Sequence, residues 1–194
     1  MSKAHQLRGY LKYRRKAMGR HGVHSPFVYE LTEKFLKKKT EPANLILATS
    51  RHKKLINNII AYFQCKHILW LTNKDGETET FISIEYETNN KIKLRTERFH
   101  FDQYTSSPQP DLYLFDLTHP SDWMNAWEKY KPHLKPNNMA LISSIHHSKE
   151  HTQAWENIYS DKTVKLSVDL FKVGLLFFRK EFNEKQHFVL KSSN

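Results

Sequence analysis

Apolar positions change spacing along the chain: helical periods come first, then short apolar runs alternating with further helical stretches. Leu7, Tyr10, Leu11, Ala17 and Met18 fall close to one face of a helix over residues 3–20. Ser25 before Pro26 predicts a second helix start. The hydroxyl caps the end, and proline's missing N–H costs nothing in the first turn. That helix is expected to reach about Lys38 and to bury Phe27, Leu31 and Phe35. A third amphipathic helix is predicted over 51–64, with Leu55, Ile56, Ile59, Ile60 and Phe63 inward.

From Lys66 the pattern becomes that of strands. The run HILWL at 67–71 has the continuous apolar character of a strand buried on both faces. Strands are predicted over 81–85 and 92–99, then over 111–117. Ser121 is the expected cap of a helix to about Leu134, with Trp123, Met124, Trp127 and Tyr130 inward. A strand over 139–145 follows, then a helix capped by Ser148 to about Tyr159. The tail reads as strands over 164–169, 174–179 and 187–191. Strand–helix–strand alternation with an antiparallel end predicts an α/β sheet of mostly parallel order. The expected organisation is a basic helical segment over 1–40 and a Rossmann-like domain over 41–194, packed as a single compact unit.

Charge adds one thing to this picture. Thirty-one Lys and Arg against 20 Asp and Glu leave a net +11, which favours anionic partners. Two stretches concentrate it, from Lys3 to Arg20 and from Arg51 to Lys54. The second falls at the positive end of a helix dipole, where water or an anion must absorb the mismatch. A single cysteine, Cys65, excludes an internal disulfide and a cysteine-rich zinc site. No run of eighteen apolar residues offers a membrane span, and the polar, basic start lacks a secretory pattern. A reducing cytoplasm is the expected compartment.

Several strings, in order, carry a family likeness. They are His21-Gly22-Val23-His24-Ser25-Pro26-Phe27-Val28-Tyr29 and Asp111-Leu112-Tyr113-Leu114-Phe115-Asp116 with His119. Ile145-His146-His147-Ser148 with Ala154-Trp155-Glu156 comes next. Asp169-Leu170-Phe171, then the run from Gly174 to Arg179, then His187-Phe188-Val189-Leu190 complete the set. Together they resemble a bacterial O-methyltransferase-like branch of the class I S-adenosylmethionine-dependent methyltransferases. The resemblance implies a Rossmann-like sheet closed by an antiparallel C-terminal hairpin, with S-adenosylmethionine as cofactor.

The cofactor half departs from that pattern. After the first strand the family has a glycine-rich turn, because only glycine lets the backbone come so close to the cofactor. Here the turn reads Thr72-Asn73-Lys74-Asp75-Gly76-Glu77. Thr72, Asn73 and Gly76 are the degenerate candidates for cofactor contact, and Glu85 is placed to accept bonds from ribose hydroxyls. Residues 72–110 hold two strands with little room for crossover helices, and six residues between Glu85 and Ile92 suit a hairpin. The two central strands are therefore expected to pair antiparallel or to be displaced.

The same resemblance assigns Asp116 to the first carboxylate of a divalent metal site, but Ser143 and Ser144 stand where the acidic pair should follow. Hydroxyls replace ionised oxygens poorly around a hard cation, so no metal is expected. His119 and His146, with Asp116, are the candidate catalytic groups at the sheet's C-terminal edge, an imidazole serving as general base near neutral pH. His147 and His151 have an i,i+4 spacing that can bring two imidazoles to one metal. Three readings stand side by side. One is a methyltransferase-like pseudoenzyme impaired in cofactor binding, and another an active methyltransferase with an atypical pocket flanked by Glu85 and Asp116. The third is a basic module for RNA or another polyanion.

Overall fold

The computed structural model describes residues 3–18, 24–36, 52–73, 79–86, 92–98 and 109–191. Among the described residues there are five α-helices: α1 (Lys3–Lys16), α2 (Pro26–Leu31), α3 (Lys53–Phe63), α4 (Pro120–Tyr130) and α5 (Lys149–Ser160). The strands are β1 (His67–Thr72), β2 (Glu79–Tyr86), β3 (Ile92–Arg98), β4 (Leu112–Asp116), β5 (Met139–Ser143), β6 (Leu166–Asp169), β7 (Val173–Phe177) and β8 (Gln186–Val189). All eight form one sheet in the order β3-β2-β1-β4-β5-β7-β6-β8.

The architecture is mixed α/β, as the alternation predicts. The expected mostly parallel order is not what forms: four of the seven strand pairings are antiparallel. The reason is connection length. Six residues separate β1 from β2 and five separate β2 from β3, too few for a parallel crossover. So β2 runs back along β1 with Leu71 opposite Glu79 and His67 opposite Ser83, and β3 returns against β2. Only β1, β4 and β5 form the expected parallel core. At the other end β6 and β7 make the antiparallel hairpin, but β8 lies on the far side of β6 and parallel to it.

Helices cover both faces, which is why β4 and β5 are buried at every position. Alternation along each strand sorts the core. Ile68, Leu112, Leu114, Leu141, Val168 and Leu175 join Val28, Leu31, Ile56, Ile59 and Ile60 of α2 and α3. Leu69, Tyr113, Phe115, Ile142 and Leu176 join Trp123, Trp127, Trp155 and Ile158 of α4 and α5. Gly174 lets that second layer close. A β-carbon there would stand 2.5 Å from the Trp155 ring, so only a bare backbone admits the indole.

Local signals mostly act as read. Ser25 caps α2 by accepting from the Val28 N–H, and Ser148 caps α5 by accepting from the His151 N–H. After Leu31 the helix widens into a π-turn, Thr32–Leu36, where the Thr32 hydroxyl donates to the Val28 carbonyl at 2.9 Å. The predicted extension to Lys38 lies outside the described residues. Gln64 ends α3 in the left-handed region (φ 52°), the Cys65 N–H reaching back to the Ile60 carbonyl at 3.1 Å. Two expectations need correcting. α4 begins at Pro120 with His119 before it, not at Ser121, because proline fits the first helical turn. α1 docks through Tyr13 and Ala17, while Leu7 and Leu11 of the predicted apolar face stay exposed.

α1 is tied to the last strand. The Tyr13 hydroxyl donates to the Leu190 carbonyl, and the Met18 N–H donates to the Val189 carbonyl at 2.7 Å. The Lys191 N–H completes the clasp on the Met18 carbonyl.

Candidate functional site

In open α/β sheets ligands bind beyond the carboxyl ends of the parallel strands. Here that edge gathers Thr72 from β1, Asp116 from β4, Ser143 from β5 and Asp169 from β6. Thr72 and Asp116 are register partners and both are buried. Asp116 accepts a 2.6 Å hydrogen bond from the Ser143 hydroxyl. Ser143 thus serves as the donor to the Asp116 carboxylate.

Asn73 sits at the mouth of this edge, and its side chain is engaged by protein. Its Oδ1 accepts from the Thr118 N–H at 3.1 Å and from the Thr118 hydroxyl at 2.9 Å. Its Nδ2 donates to Asp122 at 2.9 Å. The amide therefore fastens the β1 end to the start of α4. Gly76 lies outside the described residues, as do Arg20, Arg51 and the string His21-Gly22-Val23. Glu85 does not join the others. Because β2 is reversed, Glu85 lies beyond the His67 end of β1, at the opposite edge from Asp116. It is exposed there, with Lys93 Nζ 3.7 Å away.

The histidines divide by what their nitrogens touch. His119 is exposed and makes no side-chain cap for α4. His146 is held on both sides: Nε2 donates to Asp169 Oδ2 at 2.6 Å, and Nδ1 faces the Thr152 hydroxyl at 3.1 Å. His151 faces the Ser148 hydroxyl at 2.8 Å through Nδ1 and the Thr118 carbonyl at 3.2 Å through Nε2. Burial holds its pKa below the usual imidazole value. The His147 and His151 rings meet edge to face at 5.2 Å, so they do not turn two free nitrogens toward one metal.

Sequence reading passed over Asp169 and the aromatic lid it organises. Asp169 Oδ1 accepts from the Phe171 N–H at 2.8 Å, and the Lys172 N–H closes onto the Leu170 carbonyl at 2.8 Å. This holds Phe171 at φ 65°, a strained conformation for a bulky residue. Phe171 stacks on His146 at 5.3 Å and meets the Tyr13 and Tyr10 rings of α1 at 5.0 and 5.1 Å. Over the β5 and β6 ends, protein aromatics occupy the space above the imidazole. A carboxylate ending a strand, two residues before an aromatic in a tight turn, was the only available signal.

An open groove of about 540 Å³ lies at the other edge, lined by Phe27, Arg179, Phe182 and Gln186 among others. Among the described residues no helix is long and apolar enough to cross a membrane. Comparison with protein-family models, curated proteins and solved structures finds no match for this chain.

Proposed function

We propose that this chain is a methyltransferase-like protein that has lost S-adenosylmethionine binding, a pseudoenzyme on a Rossmann-like scaffold. The strand order supports the scaffold: β3-β2-β1-β4-β5 and then β6 follow the doubly wound order 3-2-1-4-5-6, with β7 inserted antiparallel before β6, β8 added beyond it, and β2 reversed.

The reversal of β2 against β1 carries the loss of binding. A doubly wound site needs the second strand to end at the same edge as the first, so that its terminal carboxylate faces the ribose. Here that strand delivers Glu85 to the far edge, and its short connection excludes the crossover helix that would floor an adenosine site. Asn73 supports the same reading, since its polar atoms are engaged with Thr118 and Asp122. His146 is covered by Phe171 and bonded on both nitrogens by Thr152 and Asp169, so the chain's own side chains fill the space around it.

Isothermal titration with S-adenosylmethionine tests the proposal. No heat of binding is expected up to millimolar cofactor. A micromolar dissociation constant would overturn it and favour an active enzyme with an atypical pocket.

A further inference from the structure

We infer that the outward face of α1 docks on an anionic bilayer surface. This goes beyond the loss of cofactor binding and does not depend on it.

The helix carries Lys3, Arg8, Lys12, Arg14, Arg15 and Lys16 and no acidic residue. Its orientation is fixed from the other side, by buried Tyr13 and Ala17 and by the Tyr13–Leu190 hydrogen bond. What faces outward is unusual in one respect. Leu7 and Leu11, one helical turn apart, are 59% and 53% exposed. Arg8, Arg14 and Arg15 stand three or four residues from Leu11 and therefore surround it on the helix surface. All three are exposed, as is Lys12.

A single-sign basic face attracts any polyanion, so the leucines decide among them. An interfacial helix presses apolar side chains into the headgroup boundary while its cations stay among the anionic lipids. Two exposed leucines a turn apart, with arginines around Leu11, match that division of labour. Single-stranded RNA instead takes basic residues with aromatic faces on which bases stack. Of the aromatic rings of α1, Tyr13 is buried and Tyr10, though exposed, packs against Tyr13 and Phe171, so no row of open faces is offered to successive bases. Exposed leucines contribute nothing to a phosphate contact. The surface thus has the chemistry of a peripheral membrane contact.

Flotation of the full chain with vesicles is the test, using phosphatidylcholine alone and phosphatidylcholine with roughly one-third phosphatidylglycerol. Binding is expected only to the anionic vesicles, and raised salt should weaken it severalfold. The double variant L7Q/L11Q should lower the partition coefficient roughly tenfold, since it removes the apolar insertion. R8Q/R15Q should lower it by roughly fivefold for each charge removed. A thermal melt reports whether each variant keeps its fold, and either variant alone suffices for the reading. Failure to float with anionic vesicles overturns the inference, as does equal binding to neutral ones. Unchanged affinity in a folded L7Q/L11Q, or displacement from vesicles by an RNA oligonucleotide with no effect of the leucines, overturns it as well.

Discussion

Asn73 and Thr118 are joined by two hydrogen bonds to one carbonyl oxygen, from the Thr118 backbone N–H and from its hydroxyl. This links the end of β1 to the segment entering α4, where a cofactor-binding turn would have to stay open. Asn73→Ala is expected to destabilise the protein by about 1–2 kcal/mol, the net value of a few partly exposed hydrogen bonds. Urea denaturation measures it. A variant as stable as the parent would show that the Asn73 contacts hold nothing together.

Gly174→Ala should cost about 2 kcal/mol. The added methyl would meet the ring of Trp155, which is buried and has no room to retreat, so the second core layer must shift. Chemical denaturation should show a lower midpoint with an unchanged slope. Trp155→Leu is itself destabilising, but in its background the added cost of Gly174→Ala should be smaller, a coupling that a double-mutant cycle reads.

Acid should reveal Asp161. Burial works against its ionisation, but hydrogen bonds from the Thr163 backbone and hydroxyl, the Trp127 indole and Lys131 outweigh that and hold the carboxyl down to about 2. A carboxyl whose folded pKa is depressed stabilises the fold above its unfolded value, near 4, and the gain is lost as pH falls toward 2. The expected contribution is about 2 kcal/mol, present at neutral pH and fading between roughly pH 4.5 and 2. Stability measured across that window for the parent and Asp161→Asn should differ by this amount at the upper end and converge at the lower.

Cys65 should be silent toward thiol reagents. It is 4% exposed, and burial raises its pKa far above that of a free thiol, a rise to which nearby Asp111 adds. Labelling by a disulfide reagent at neutral pH is expected to follow unfolding, fast in urea and slow without it. Rapid reaction of the native protein would contradict the packing under Tyr86, whose hydroxyl donates to the Cys65 carbonyl at 2.9 Å.

Ser25 and Ser148 were legible as helix starts because a capping hydroxyl acts within three residues of itself. The runs in β1, β4 and β5 were legible because burial on both faces leaves an unbroken apolar string. Strand direction was only half legible: the six residues before Ile92 announced a hairpin, whereas a strand expected to start at Phe81 left nine residues after Leu71, and the true connection from Thr72 to Glu79 is shorter. The place of Glu85 follows from the reversal of β2. Asn73 read as a cofactor contact because its partners, Thr118 and Asp122, are 45 and 49 residues away. Leu7 and Leu11 were legible as members of one helix face, but periodicity tells only which side chains share a face, and the fold tells whether anything covers it.

The clasp between Met18 and the segment after β8 has a consequence for the order of events during synthesis. Tyr13 and its acceptor Leu190 are separated by 177 positions. α1 is made before the sheet, yet its contacts there, on Phe171 and on the Leu190 carbonyl, exist only once those late residues have been added. Until Leu190 and Lys191 are in place the β6–β8 side of the sheet lacks its clasp to Tyr13 and Met18. The central parallel strands can assemble while the chain is still growing, whereas this edge closes as a final step.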